Sequence, residues 1–157
     1  RGVHLVRNMD DAPRVLAEFT GRSAFLTRFH DFRDSASGLY TKMRFFKAAG
    51  ELFPEHRIVA DVWNIHSGDR SRLMRDRPEL QAAEQRFLEQ PAEVLGENGM
   101  RALAAVFERF DLDYVGIDFA QLPDGRLLLF EANPAMREAW PDGKLPMSSP
   151  VSNGWNP

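Results

Sequence analysis

The stretch that decides the fold is Tyr114-Val-Gly-Ile-Asp-Phe-Ala-Gln121, then Pro123-Asp124-Gly125, then Arg126-Leu-Leu-Leu-Phe-Glu-Ala132-Asn133. Two apolar runs of strand length flank a Pro-Asp-Gly turn, so the segment reads as a β-hairpin. Alternation along a strand assigns its faces. Tyr114, Gly116, Asp118 and Ala120 point one way, and Val115, Ile117, Phe119 and Gln121 the other. On the second strand Leu127, Leu129, Glu131 and Asn133 share a face opposite to Leu128, Phe130 and Ala132. If Leu122 faces Leu127 across the turn, Asp118 sits directly opposite Glu131, and Asn133 lies one step further along the same face. A slip of one residue would set Asp118 against Phe130 and destroy the arrangement.

Two carboxylates facing each other across a sheet repel. A divalent cation reverses the sign of that interaction. The set Asp118, Glu131 and Asn133 offers oxygen alone, with no His or Cys, which suits Mg²⁺ or Mn²⁺ rather than zinc. Mg²⁺ held by few protein oxygens completes its octahedron with water and substrate phosphates, which points to a nucleoside triphosphate. On the acids alone, a hairpin whose polar face meets solvent explains the pattern equally well. Leu127 and Leu129 on the same face argue for a partly buried Glu131, and a partly buried acid needs a partner.

Outward from the hairpin, the remaining elements are read from period and punctuation. Residues 97–110 predict a helix with Met100, Leu103, Ala104, Phe107 and Phe110 in one stripe. Residues 78–90 predict another, with Leu80, Ala83, Phe87 and Leu88. Residues 67–77 carry six charges among small residues without a period and predict a mobile loop. Residues 57–63 (RIVADVW) and 40–47 (YTKMRFFK) read as strands. The latter has Lys42 and Arg44 on one face and Thr41, Met43 and Phe45 on the other. Residues 51–56 read as a turn and 30–38 as a loop. Nearer the start, 3–7 (VHLVR) and 24–29 (AFLTRF) alternate as strands around a helix that begins near Asp11–Pro13 and is capped by Asn8 or Asp10. Leu16 and Phe19 give that helix its apolar side. The fold class expected is α+β, a mostly antiparallel sheet with flanking helices.

The chain has 157 residues, one domain's worth and enough to bury a core. Its 20 Lys+Arg against 23 Asp+Glu leave a net charge of −3, without the basic face that a nucleic acid demands. There is no cysteine, so disulfide and thiol chemistry are excluded. No apolar run reaches membrane-spanning length and no signal-peptide pattern is present, so neither a membrane partner nor a location outside the cytoplasm is expected. His4, His30, His56 and His66 show no metal-ligand spacing. Ser148 and Ser149 lack a nucleophile elbow, and Trp140 and Trp155 read as closing one end of the domain.

Gly116-Ile-Asp118, twelve intervening residues and Glu131-Ala-Asn133 together resemble the terminal metal motif of the ATP-grasp superfamily, which includes carboxylate–amine ligases. The stretch 38–136 is most similar to ATP-grasp domains at the C-terminus of larger bacterial proteins with tetratricopeptide repeats. The resemblance implies ATP and Mg²⁺ (or Mn²⁺) as cofactors, with Asp118, Glu131 and Asn133 as metal ligands and Glu131 between two ions. It implies activation of a small-molecule or peptide carboxylate through an acylphosphate, or else a non-catalytic nucleotide-binding module. Lys42 and Arg44 are placed like basic residues that reach phosphates; as plain strand charges they would simply be solvated. Residues 2–6 look like the end of a glycine-rich lid loop and its following strand, and 25–31 like the strand and hinge that hold adenine. Phe29, His30 and Asp31 would line that hinge, with Asp34 near the ribose. The implied organisation is lid remnant and hinge (1–34), C-terminal catalytic lobe (35–143) and irregular tail (144–157). The family's upstream lysine has no counterpart here, and the chain is expected to be a piece of a longer parent. His66, Arg70, Arg72 and Arg75 either clamp an anionic acceptor or are ordinary solvated charges.

Overall fold

The computed structural model describes residues 3–136; Gly2, the tail 144–157, Trp140, Ser148, Ser149 and Trp155 lie outside the described residues. The chain divides after Asp31 into two compact units.

In the first unit one short helix forms, α1 (Ala12–Ala17), with Pro13 in its first turn. Asn8 Oδ1 accepts the Asp11 N–H at 2.9 Å just ahead of it. Val15 is its buried residue, whereas Leu16 is exposed, so the apolar side differs from the expected Leu16 and Phe19 stripe. His4 packs edge-on against Phe19 and lies 3.3 Å from the Glu18 carboxylate. Residues 3–7 and 24–29 are not strands. Alternation supplies a two-faced segment, but a strand exists only where a neighbour completes its hydrogen bonds.

The second unit is α+β. Its antiparallel sheet contains β1 (Tyr40–Ala48), β2 (Glu51–Ala60), β3 (Tyr114–Gln121) and β4 (Leu127–Asn133), in the order β2-β1-β3-β4. Residues 51–56 are therefore strand rather than turn. The turn is the Ala49-Gly50 pair, whose φ values of 49° and 85° are both positive. That is the backbone of a two-residue hairpin loop twisted to match its strands. Pro54, which read as a turn residue, is tolerated because β2 is an edge strand and the ladder is irregular there. Arg44 pairs with His56 and Phe45 with Pro54, so Glu55 is the extra residue of a β-bulge. At the other end β2 stops at Ala60, and Val62 is exposed instead of continuing the apolar side.

Two helices cover one face of the sheet. Helix α2 (Pro78–Glu89) and helix α3 (Pro91–Phe107) each begin with Pro, which suits the first turn. Phe87, Leu95, Met100, Leu103 and Phe107 pack on Met43, Phe45, Val115, Ile117 and Phe119 in the main core. Gly96 (φ 70°, ψ 170°) breaks α3, and the Gln121 amide donates to the Leu95 carbonyl left open by the break, at 2.8 Å. Residues 67–77, expected as a mobile loop, contain a π-helical turn, Arg70–Met74. Met74 Sδ accepts the Val59 N–H and Glu84 Oε1 the Arg57 N–H, both at the free edge of β2. That edge is thereby closed to pairing with another chain. Among the described residues no helix is long and apolar enough to cross a membrane.

Candidate functional site

The face of the sheet turned away from α2 and α3 carries the polar residues. Asp118 pairs with Arg44 on β1 and with Glu131 on β4, and Gly116 pairs with Asn133. The expected register, Asp118 opposite Glu131, is the observed one, but the route to it differs. Gln121, not Leu122, faces Leu127, and a bulge beside Asp118 leaves Phe130 as the extra residue. The bulge reverses the phase of β4 halfway along. Leu129 pairs with Phe119 and Leu127 with Gln121, so both lie on the helix side, not beside Glu131. The argument that those leucines bury Glu131 therefore fails, and Glu131 is exposed.

Asp118 sits at the centre of the sheet and is only 3% exposed. Its carboxylate is already engaged on both oxygens. Arg44 grips it with Nε to Oδ1 and with Nη2 to Oδ2 at 2.9 Å. Lys42 Nζ reaches Oδ2 at 3.1 Å. Burial pushes the Asp118 carboxyl up, but Arg44 and Lys42 outweigh it and hold the group below the ordinary carboxylate value. Arg44 is burdened by burial in turn, yet Asp118 and Glu55 raise its affinity for its proton.

Glu55, at the β2 bulge, lies 3.3 Å from Arg44 Nη1 through Oε2, and the His56 Nδ1 is 3.4 Å from that same oxygen. The Glu55 side chain is buried, and Nε2 of the buried His56 has no hydrogen-bond partner among the described residues. Neither residue stood out in the sequence, because Pro-Glu-His read as a turn. Lys42, Arg44, Asp118 and Glu55 thus form a network of two half-buried cations and two buried carboxylates.

At the β4 edge, Asn133 Nδ2 donates to Glu131 Oε1 at 3.0 Å, and its Oδ1 accepts the Ala135 N–H at 2.8 Å. Gly116 keeps this end of the face low. A Cβ there would lie 2.6 Å from the Phe46 ring and 2.7 Å from Met136 Sδ. Asp118, Glu131 and Asn133 thus share a patch with oxygen donors of the type a hard cation takes. Among the described residues no three His, Cys, Asp or Glu side chains converge as a metal group. A divalent ion here would need Asn133 and ligand oxygens to complete its shell, and Asp118 to be released by Arg44 and Lys42.

The other residues singled out in the sequence lie elsewhere. Phe29, His30 and Asp31 are exposed in irregular chain of the first unit. Asp34, in the second, accepts hydrogen bonds from both the backbone N–H and the hydroxyl of Ser37, each at 2.7 Å, which shapes its loop and lowers its carboxyl pKa. Arg70 pairs with the buried Glu84 at 2.9 Å, and Arg72 is committed to Asp61 and Asp69. His66 receives the Asp69 carboxylate on its backbone N–H. Arg75 has no such pairing among the described residues and lines, with Arg70, Met74, Gln81 and Leu88, a cleft of about 390 Å³. No family model, curated protein or solved structure matches the chain.

Proposed function

We propose that this sheet face binds the phosphates of a metal–nucleotide, as the resemblance to ATP-grasp proteins implies, with Mg²⁺ (or Mn²⁺) and ATP as the cofactors. The observation that carries the reading is the pairing of Asp118 with Glu131, with Asn133 beside them and Arg44 and Lys42 on the next strand. The oxygen donors fit a hard cation, and the guanidinium and ammonium fit phosphate oxygens. A bound divalent ion would supply charge neutralisation for the triphosphate. The chain's own residues would do the rest: Arg44 and Lys42 orient the phosphates, while Asp118, Glu131 and Asn133 fix the cation's place.

In that reading the reaction is activation of a carboxylate. The carboxylate oxygen attacks the terminal phosphorus, ADP leaves, and an amine then displaces phosphate from the acylphosphate. Phosphoryl transfer asks mainly for positioning and electrostatics from the protein, and in this reading Arg44, Lys42 and the oxygen donors would supply them. The second reading, a nucleotide-binding module without turnover, is favoured by the exposure of Glu131 and by Asn133 Oδ1 already bonding Ala135. Calorimetric titration of the full chain with Mg·ATP tests the shared step. Saturable heat is expected, and its absence contradicts both readings. ADP release in carboxylate and amine mixtures then selects ligase over module.

A further inference from the structure

The same carboxylate that would hold the cation is held by two cations of the protein's own. Arg44 binds Asp118 through two nitrogens, Lys42 lies 3.1 Å from Oδ2, and Asp118 is almost wholly buried. A free divalent ion approaching this group meets like charges on the same two oxygens. It has to take Asp118 from both without offering either a new partner. A metal bound to a polyphosphate brings anionic oxygens with it, and those are partners that an ammonium and a guanidinium accept readily.

Resting on the reading above, we infer that Lys42 and Arg44 are counter-ions that stand in the cation's place and make the site selective for a metal–polyphosphate over metal alone. Lys42 and the Nε and Nη2 of Arg44 move from Asp118 to phosphate oxygens, and the freed carboxylate faces the incoming cation. Glu55 is the positioning residue of this exchange. From the bulge of β2 its Oε2 faces Arg44 Nη1, the nitrogen not bonded to Asp118, as an ion pair at 3.3 Å. The guanidinium therefore stays anchored when its other two nitrogens change partners.

The experiment measures binding of Mn²⁺ alone to the full chain by loss of the free-ion electron paramagnetic resonance signal, and binding of Mn·ATP by calorimetry, in the wild type and in Lys42→Met. The wild type is expected to bind Mn²⁺ alone weakly and Mn·ATP well. Lys42→Met is expected to bind Mn²⁺ alone about tenfold more tightly, a gain of ordinary size for coupled sites, while Mn·ATP binding weakens. A lysine that served phosphate only would leave the affinity for metal alone unchanged. That outcome, or tight wild-type binding of Mn²⁺ without ATP, overturns the exchange and leaves the nucleotide reading standing. No binding of Mn·ATP by the wild type overturns both. If Lys42→Met does not fold, Lys42→Gln takes its place with the same expectation, since it too removes the ammonium beside Asp118.

Discussion

Asp118 is a carboxylate buried in mid-sheet and gripped by Arg44 and Lys42 from the neighbouring strand. Its place opposite Glu131 was legible from spacing and alternation, but its partners on β1 were not, since nothing local in the sequence says that β1 lies beside β3. Replacing Asp118 by Asn leaves Lys42 and Arg44 largely buried against a neutral amide. The expected loss at pH 7 is about 3 kcal/mol or more, measured by urea unfolding. The sign of its pH dependence follows from the depressed carboxyl. Stabilisation is complete above the unfolded value of about 3.9 and is lost as pH falls through the lower folded value. The gap between wild type and Asp118→Asn is therefore expected to narrow in acid, and a gap that persists undiminished at pH 2 contradicts the network. Gly116 is constrained by space, not by backbone angle. Gly116→Ala is expected to destabilise by about 1–3 kcal/mol as Phe46 and Met136 give way, and an unchanged melting temperature would deny the close approach.

Among the elements, those with a clean period were readable. The stripe of α3 and the β3–β4 hairpin needed no tertiary information. The two bulges did. Phe130 and Glu55 are extra residues defined only by the neighbouring strand's register, so period-2 reasoning runs one residue out of phase beyond each. That is why Leu127 and Leu129 were assigned to the wrong face, whereas Glu55 was missed because residues 51–56 read as a turn. The β1–β2 turn was hidden for a different reason. Ala49 occupies a positive-φ position that Asn or Gly fills in most such turns, so the usual signal is absent. Ala49→Asn is expected to raise stability by about 1 kcal/mol, read from thermal or urea unfolding, because Asn tolerates that conformation better. A loss of stability would contradict the turn assigned here.

At the scale of the molecule, the second unit has a sheet covered by helices on one side, and on the other a charged patch beside a second apolar cluster of Phe32, Tyr40, Ile58, Ala60 and Ala120. The α+β class was legible from the order of the elements. The strands expected at 3–7 and 24–29 were not realised, since amphipathic alternation without a hydrogen-bonding neighbour specifies no ladder. The central claim is that the open face takes a metal–nucleotide through Asp118, Glu131 and Asn133. Glu131 is the informative probe because it is exposed, so its substitution should spare the fold. The decisive measurement is the Mg·ATP dissociation constant, by calorimetry, of the wild type beside Glu131→Gln. The account predicts saturable binding by the wild type and a loss of about tenfold or more in the variant, at an unchanged melting temperature. Equal affinity in the two proteins, or no binding by the wild type, contradicts it.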